Sequence, residues 1–100
     1  MKFLWQIMVP CNYNDGKPVR TRHHKEWDRK VQTISNGLTI NAPGRGKWKS
    51  PNGEVFVDRI IPVQISCTED EMWDIAQMTK EHYRQEAVMV FCLSKQVHII

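Results

Sequence analysis

Long apolar runs are missing from this chain of 100 residues, because no stretch approaches the ~20 apolar residues that a membrane-spanning helix needs. The opening segment MKFLWQIMVP has one lysine and a short apolar run. Residues 10–12, Pro-Cys-Asn, do not form the small-residue cleavage site of a signal peptide. We therefore expect a cytoplasmic protein with no membrane partner, and we interpret this first segment as a strand.

Cysteine is scarce and widely spaced, at Cys11, Cys67 and Cys92, with no CxxC pair. This spacing argues against a zinc knuckle and against a thioredoxin-type motif. The simplest interpretation is a reduced, intracellular protein in which the three thiols are small buried hydrophobic groups.

Recognised catalytic signatures are also absent, including the nucleophile elbow, HExxH and the Walker loop. The stretch Gly44-Arg45-Gly46-Lys47 could bind phosphate, but a P-loop needs a helix directly after it. A glycine-hinged hairpin arm is the alternative. His23-His24 with Glu26 could indicate a metal, yet adjacent histidines point to different sides of a helix and no third ligand has suitable spacing. We therefore expect no metal and no cofactor.

Secondary-structure signals are clear along the whole chain. Apolar residues predict a strand at 3–9, and turn-forming residues predict a loop at 12–18. A helix follows, which Thr21 can cap and which ends at Asn36-Gly37, with Gly37 as a left-handed cap. A strand at 38–41 is interrupted at 42–46 and can resume at 47–49. The turn at 50–53 leads to a long strand at 54–66, in which Pro62 indicates an edge or a bulge.

The second half continues this alternation. Thr68 and Glu71 form a capping box, and the helix that follows has a predicted inward stripe. The stripe comprises Met72, Ile75, Ala76, Thr79, His82 and Tyr83. Residues 87–93 predict a central strand, which 96–100 can extend.

The resulting order is β-α-β-β-α-β, which is typical of an α+β, ferredoxin-like sandwich: a four-stranded antiparallel sheet with two helices on one face. We expect one such domain over residues 1–100. Several large apolar residues are then expected on the opposite sheet face, namely Trp5, Trp48, Phe56, Met89 and Phe91. This face is too apolar to remain in water, and so we predict a homo-oligomer, a dimer or a trimer.

Charge is distributed unevenly. Residues 1–50 carry ten Lys/Arg against three Asp/Glu, whereas residues 51–100 carry four against eight. A basic face can bind nucleic acid or phosphate, can meet the acidic face of a neighbouring subunit, or can simply be solvated. The nucleic-acid hypothesis depends on Arg20, Arg22, Lys25, Arg29, Lys30, Lys47, Trp48 and Lys49. The aromatic-rich strand motif of RNA-recognition domains is absent, and we do not favour this hypothesis.

One group of residues is a candidate site for a small-molecule ligand. Asp58 and Arg59 are a charged pair inside an otherwise apolar strand. If Asp58 faces a cleft, partial burial would make it a candidate catalytic base. Alternatively the two side chains point to opposite faces and are solvated. The candidate ligand-binding residues are Lys47, Trp48, Arg59, Tyr83, Gln85 and Glu86.

Short motifs over residues 27–90 carry a resemblance to a family of small uncharacterised bacterial ferredoxin-like proteins. The motifs are Gly37-Leu38-Thr39, Gly46-Lys47-Trp48, the acidic Asp58, and Gln85-Glu86-Ala87-Val88. This resemblance implies the same fold and no particular activity.

A glycine-containing second strand, the acidic Asp58 in the third strand and the Gln85-x-x-Val88 entry to the last strand also resemble phage-encoded S-adenosylmethionine lyases. The resemblance implies a ferredoxin-like homotrimer in the host cytoplasm, with active sites between subunits. It places Asp58 where those enzymes carry a catalytic glutamate. Three hypotheses follow: a binding protein with a metabolite or nucleotide between subunits, a lyase that releases methylthioadenosine, and an interaction protein with a basic face.

Overall fold

The computed structural model describes all 100 residues and contains five strands and two helices. The strands are β1 (Phe3–Pro10), β2 (Thr39–Ile40), β3 (Gly44–Lys49), β4 (Val55–Cys67) and β5 (Val90–Ser94). The helices are α1 (Thr21–Ile34), between β1 and β2, and α2 (Glu69–Tyr83), between β4 and β5. The predicted β-α-β-β-α-β order is confirmed, with the second predicted strand divided into β2 and β3.

All strand pairs are antiparallel, and β4 and β1 are the two central strands. Strand β4 pairs with β1 on one side and with both β2 and β3 on the other, while β5 pairs only with β1. The expectation that residues 87–93 form a central strand is therefore wrong. These residues contribute an edge strand that begins only at Val90, and residues 96–100 do not extend it.

Pro62 marks a bulge, as the sequence predicted. Ile40 pairs with Val63 and Gly44 with Ile60, so three residues on the β2–β3 side face two residues of β4. The backbone N–H of Asn41 donates to the carbonyl of Pro62 at 3.0 Å. The missing N–H of Pro62 lies on this same side, where the ladder is already interrupted, and therefore removes no regular sheet bond.

The core lies between the sheet and the two helices. Strand β1 alternates, with Trp5, Ile7 and Val9 buried toward the helices and the intervening residues only partly buried. Trp5 is 7% exposed and its ring lies 6.4 Å from that of Trp73 on α2. The prediction that Trp5 lies on the opposite sheet face is therefore wrong, because its parity in β1 is that of the core residues.

The helices run antiparallel and are joined by buried polar contacts. Trp27 Nε1–H of α1 donates to Thr79 Oγ1 of α2 at 2.9 Å, and Thr79 donates to the Ile75 carbonyl at 2.6 Å. All six residues of the predicted α2 stripe are buried. Neither helix combines the length and the apolar character that would let it cross a membrane.

The helix ends agree with the predictions only in part. The Thr68–Glu71 capping box is present, with Glu71 N–H donating to Thr68 Oγ1 at 3.1 Å and Thr68 N–H donating to Glu71 at 2.8 Å. Thr21, however, is the first helical residue rather than the cap, and Arg20 at the N-cap makes no side-chain bond. Gly37 has no positive φ, because α1 ends in extended backbone at Ser35.

Strands β3 and β4 form an arm, defined here as residues 44–59, that projects beyond the body of the sheet. Its turn contains Gly53 at φ 89°, and Gly53 N–H donates to the Ser50 carbonyl at 2.9 Å. Strand β1 ends at Pro10, opposite Ile60, and Cys11 N–H still donates to the Arg59 carbonyl at 3.0 Å. Residues 55–58 of β4 therefore have no strand neighbour on the β1 side. This free edge creates the corner in which the candidate site lies.

Candidate ligand cleft

The register of the arm determines which side chains share a face. Gly46 pairs with Asp58 and Trp48 with Phe56, so Trp48, Phe56 and Asp58 lie on one face of the arm. Lys47 pairs with Val57 and lies on the other face together with Arg59. Asp58 and Arg59 therefore point to opposite faces, and both are exposed, as the second of the two arrangements predicted. The partial burial that would make Asp58 a candidate catalytic base is not present.

Asp58 is held in place by its neighbour across the hairpin. Trp48 Nε1–H donates to Asp58 Oδ2 at 3.1 Å. The position directly opposite Asp58 is Gly46, where an added Cβ would meet only the Asp58 carbonyl oxygen, at 4.0 Å. Because no side chain occupies that position, a ligand can approach the carboxylate from this side. The segment that resembled a phosphate loop, 44–47, is instead part of strand β3.

Two aromatic rings extend this face. Trp48 and Phe56 stack with their centroids 4.5 Å apart and an interplanar angle of 16°. Trp48 is 52% exposed and Phe56 38% exposed. Stacked rings of this kind bury apolar area and offer a flat surface to a base or to a cation.

A cleft of about 1020 Å³ lies where the arm leaves the body of the sheet. Its walls come from the arm, from the loop after β1 and from the segment between α2 and β5. The lining residues are Met8, Pro10, Asn12, Tyr13, Asn14, Gly16, Gly46, Lys47, Trp48, Val57, Asp58, Arg59, Ile60, Gln85, Ala87, Val88 and Met89. This volume is at the upper end of the range that small-molecule sites occupy.

Five of the seven candidate site residues line this one cleft: Lys47, Trp48, Asp58, Arg59 and Gln85. The other two do not. Tyr83 is fully buried in the core and its hydroxyl lies 2.7 Å from His24 Nδ1, while Glu86 is exposed outside the cleft. Burial raises the pKa of the Tyr83 phenol, which therefore stays protonated.

Sequence reasoning missed the residues that the body contributes to the cleft. Asn12 and Asn14 lie in a loop that the sequence predicted only as a turn, and Met8 and Val88 were taken as ordinary apolar residues. Nearby, burial raises the pKa of the Cys11 thiol, and the Arg59 guanidinium opposes this effect. The cleft thus combines apolar walls with one carboxylate, two cations and several amides.

A second polar cluster lies between the helices, on residues His23, Glu26 and His82. His82 comes from α2, which is why no spacing rule along α1 could find a third member. The rings of His23 and His82 stack at 3.8 Å with an angle of 12°, and each Nε2–H donates to the other residue's carbonyl, at 2.7 and 2.8 Å. Lys30 Nζ donates to His82 Nδ1 at 3.0 Å.

This cluster does not suit one metal ion in its present geometry. An ion bound by imidazole lies about 2.1 Å from nitrogen and close to the ring plane. Two nearly parallel planes this far apart cannot both contain the same ion, and the Lys30 ammonium already occupies His82 Nδ1. The histidines therefore serve as contacts between α1 and α2.

Comparison with known proteins identifies the fold. No protein family matches the sequence, and no curated protein matches it either. Among solved structures, the divalent cation tolerance protein CutA1 from Thermus thermophilus has a TM-score of 0.74 at 12% identity, with 99% of this chain and 88% of that chain covered. CutA1 from Oryza sativa has a TM-score of 0.72 at 13% identity, with 98% and 83% covered.

A phage S-adenosylmethionine lyase in complex with S-methyl-5'-thioadenosine is also similar, with a TM-score of 0.70 at 14% identity over 96% of this chain and 83% of that chain. The chain therefore has the ferredoxin-like α+β fold of CutA1 proteins, and its structural likeness to the phage lyases is supported. The chain is thus a small domain with the ferredoxin-like α+β fold. The likeness to a small bacterial family stays a prediction.

Proposed function

We propose that this protein binds a small cationic or zwitterionic metabolite that carries a flat base, of the S-adenosylmethionine class, in the cleft beside the arm. The observation that carries the proposal is the Asp58 carboxylate, fixed by Trp48 at 3.1 Å and left accessible by Gly46. A carboxylate beside an indole suits a positively charged sulfur or nitrogen, because both groups attract a cation.

The remaining polar groups of the cleft suit the rest of such a ligand. Lys47 and Arg59 also line the cleft, from the opposite face of the arm to Asp58, and add two positive charges that can bind a carboxylate group, for which Arg offers a planar fork. The amide of Gln85 can hydrogen-bond the edge of a base, and Trp48 offers the flat surface for stacking. Ile60, Val88 and Met89 add apolar surface to the walls.

The proposal includes self-association through the arm. The arm exposes large apolar residues, Val55, Phe56 and Val57 as well as Trp48, which is unusual for a surface in water. It also has a free β4 edge beside the cleft, and such edges pair readily with another chain. A second or third copy packed here would cover these residues and close the cleft.

A second candidate function is cleavage of S-adenosylmethionine, favoured by the likeness to a phage lyase that holds methylthioadenosine. In this reaction the substrate's own carboxylate oxygen attacks the carbon next to the sulfonium. The carbon–sulfur bond breaks, its electron pair stays on sulfur, and methylthioadenosine leaves with a lactone as the other product. The role of the protein would be to orient the substrate, with Asp58 close to the positive charge.

Binding is tested by calorimetric titration of the chain with S-adenosylmethionine and, separately, with methylthioadenosine. We expect Asp58→Asn to weaken binding of the cationic ligand about tenfold or more and to affect the neutral one much less, since only the former loses an ion pair. Glu86→Gln, which also removes a carboxylate but lies outside the cleft, is the matched control. Equal affinities for the Asp58 variant and the control would refute the assignment.

Cleavage is tested by chromatography of the same mixtures after incubation. A lyase releases methylthioadenosine at a rate that depends on Asp58. A chain that binds the ligand but releases no product is a binding protein, which removes the second candidate and leaves the first intact.

A further inference from the structure

The outward surface of α1 is basic. Its exposed charged residues are all cations. Arg22, Lys25 and Arg29 lie three or four positions apart and so follow one side of the helix, and we call them the basic stripe. Lys30 is turned toward α2, where its ammonium donates to His82 Nδ1, and the two acidic residues, Glu26 and Asp28, are only partly exposed.

The outward surface of α2 has the opposite character. Its exposed charged residues are all anions, Glu69, Asp70, Asp74 and Glu81, and we call them the acidic stripe. Its cationic residues are turned inward, since Lys80 is partly buried and His82 is buried. Trp73 lies within this surface and is 54% exposed, which adds an apolar contact at its centre.

The two stripes correspond in position along the helix axis. His23 contacts His82 and Trp27 contacts Thr79, so the antiparallel helices are aligned residue by residue. On this alignment Lys25 lies level with Glu81. Arg29 lies within about three residues, or about 4.5 Å, of the level of Asp74.

We propose that a second copy of this chain docks on the helix layer, with the basic stripe of each copy on the acidic stripe of the other. A two-fold axis parallel to the helices places α1 of one copy over α2 of its partner without changing the level of any residue. Lys25 then faces Glu81, and Arg29 lies near Asp74, twice in the same interface. The argument is one of charge complementarity, and it uses the face of the molecule opposite to the arm-side apolar surface.

The association has a defined character. Exposed ion pairs contribute little individually and are screened beyond about 10 Å at about 0.1 M salt. Two helices about 21 Å long and about 10 Å wide each give a small interface. The contact should therefore be weak, fast and strongly dependent on salt, unlike an apolar contact through the arm.

Charge reversal with the intact chain tests the proposal by sedimentation velocity at about 20 mM and about 500 mM salt, a range over which screening changes strongly. Lys25→Glu with Arg29→Glu places acidic residues on both sides of the two contacts, and Asp74→Lys with Glu81→Lys places basic residues on both sides. We expect each double variant alone to lose the salt-sensitive association, and an equimolar mixture of the two to regain it. The fourfold variant, which exchanges the charges within the two contacts, should also regain it.

The matched control is Lys95→Glu with Gln96→Glu and His98→Glu, which changes the net charge as much as Lys25→Glu with Arg29→Glu but lies in the exposed C-terminal segment, outside the helix layer and outside the arm. It should keep the association. The proposal is overturned if the mixture and the fourfold variant stay dissociated, or if no salt-sensitive species forms. It is also overturned if only the substitutions in the basic stripe abolish the association and the chain binds a DNA duplex through this stripe. The occupant of the stripe would then be a polyanion rather than a second copy.

Discussion

Thr79 carries a buried contact between the two helices. Its hydroxyl accepts a hydrogen bond from the Trp27 indole and donates one to the Ile75 carbonyl, so it acts as both acceptor and donor in the buried interior. Thr79→Val keeps the shape but leaves the indole N–H of Trp27 unpaired. We expect a loss of about 1–3 kcal/mol in the free energy of unfolding, measured by urea denaturation.

Thr33→Val is the matched control for this change. Thr33 is exposed on α1 and donates only to the Lys30 carbonyl. Its replacement should cost no more than about 0.5 kcal/mol. Equal losses at the two positions would contradict the importance of the buried Trp27 contact.

His82 makes stability depend on pH. Burial lowers the pKa of His82, and the neighbouring His23 and Lys30 side chains lower it further. The hydrogen bond to the His23 backbone carbonyl and the Glu26 carboxylate raise it by less. Its pKa in the folded state thus lies below the value in the unfolded chain, about 6.5. The contribution of neutral His82 to the free energy of unfolding is complete above that pH. It decreases as the pH drops through 6.5 toward the pKa of the folded state, because the unfolded chain then binds more protons.

We therefore expect the urea concentration at the midpoint of unfolding to decrease as the pH is lowered from about 7.5 to about 5. His82→Gln should flatten part of this dependence. His24, whose pKa burial also lowers, accounts for another part. His98→Gln, in the exposed C-terminal segment, should leave the slope of the intact protein unchanged. A steep slope that survives His82→Gln and His24→Gln together would contradict this account.

At the scale of elements, the two helices begin differently. Helix α2 starts with a complete capping box and three acidic residues in its first turn, whereas α1 starts with neither. The hydrogen bond from the Thr68 backbone N–H to the Glu71 carboxylate is the main cause of the lowered pKa of Glu71. Thr68→Ala should lower the free energy of unfolding by about 1 kcal/mol.

Thr21→Ala tests the same substitution at the first residue of α1, where no cap bond is lost. Its effect should be a few tenths of a kcal/mol or less, since alanine also has the higher helix propensity. If the two variants are equally destabilised in thermal unfolding, the capping box is not what stabilises the start of α2.

Most of this element-level structure could be predicted because the signals are local. The Thr68 box, the α2 stripe and the bulge at Pro62 each follow from a few neighbouring residues. Gly37 and Thr21 were misread because a glycine or a threonine at a helix end permits a cap without requiring one. The edge position of β5 was missed because an apolar run does not reveal how many neighbours a strand has.

Only the part of the candidate site that lies in the arm could be predicted from the sequence. Lys47, Trp48, Asp58 and Arg59 lie within one hairpin, so register alone brings them together. Tyr83 was misplaced because the same helical spacing suits a core residue and a site residue. The body's share of the cleft, including Asn12 and Asn14, depends on how the loop after β1 packs against residues 85–89, and no local pattern carries that information.

At the scale of the whole molecule, the arm should control assembly. Only 16 of the 100 residues are buried, so a single copy has a small core, to which the proposed association would add. Phe56→Ser removes the ring that stacks on Trp48 and makes the arm surface less apolar. We expect native mass spectrometry to show a shift toward the monomer that does not depend on salt.

Trp73→Ser is the comparison, since Trp73 is also an exposed ring but lies on the helix layer. It should leave the arm-dependent assembly intact. A wild-type chain that is strictly monomeric at high concentration would contradict assembly through the arm.

The central claim is that the arm cleft recognises a cationic metabolite through Asp58. The most direct measurement is a calorimetric titration of assembled protein with S-adenosylmethionine, comparing the wild-type chain with Asp58→Asn and Glu86→Gln. The account predicts binding by the wild type and by Glu86→Gln, and a loss of about tenfold or more for Asp58→Asn. Identical isotherms for all three proteins, or no heat of binding for the wild type, would contradict it.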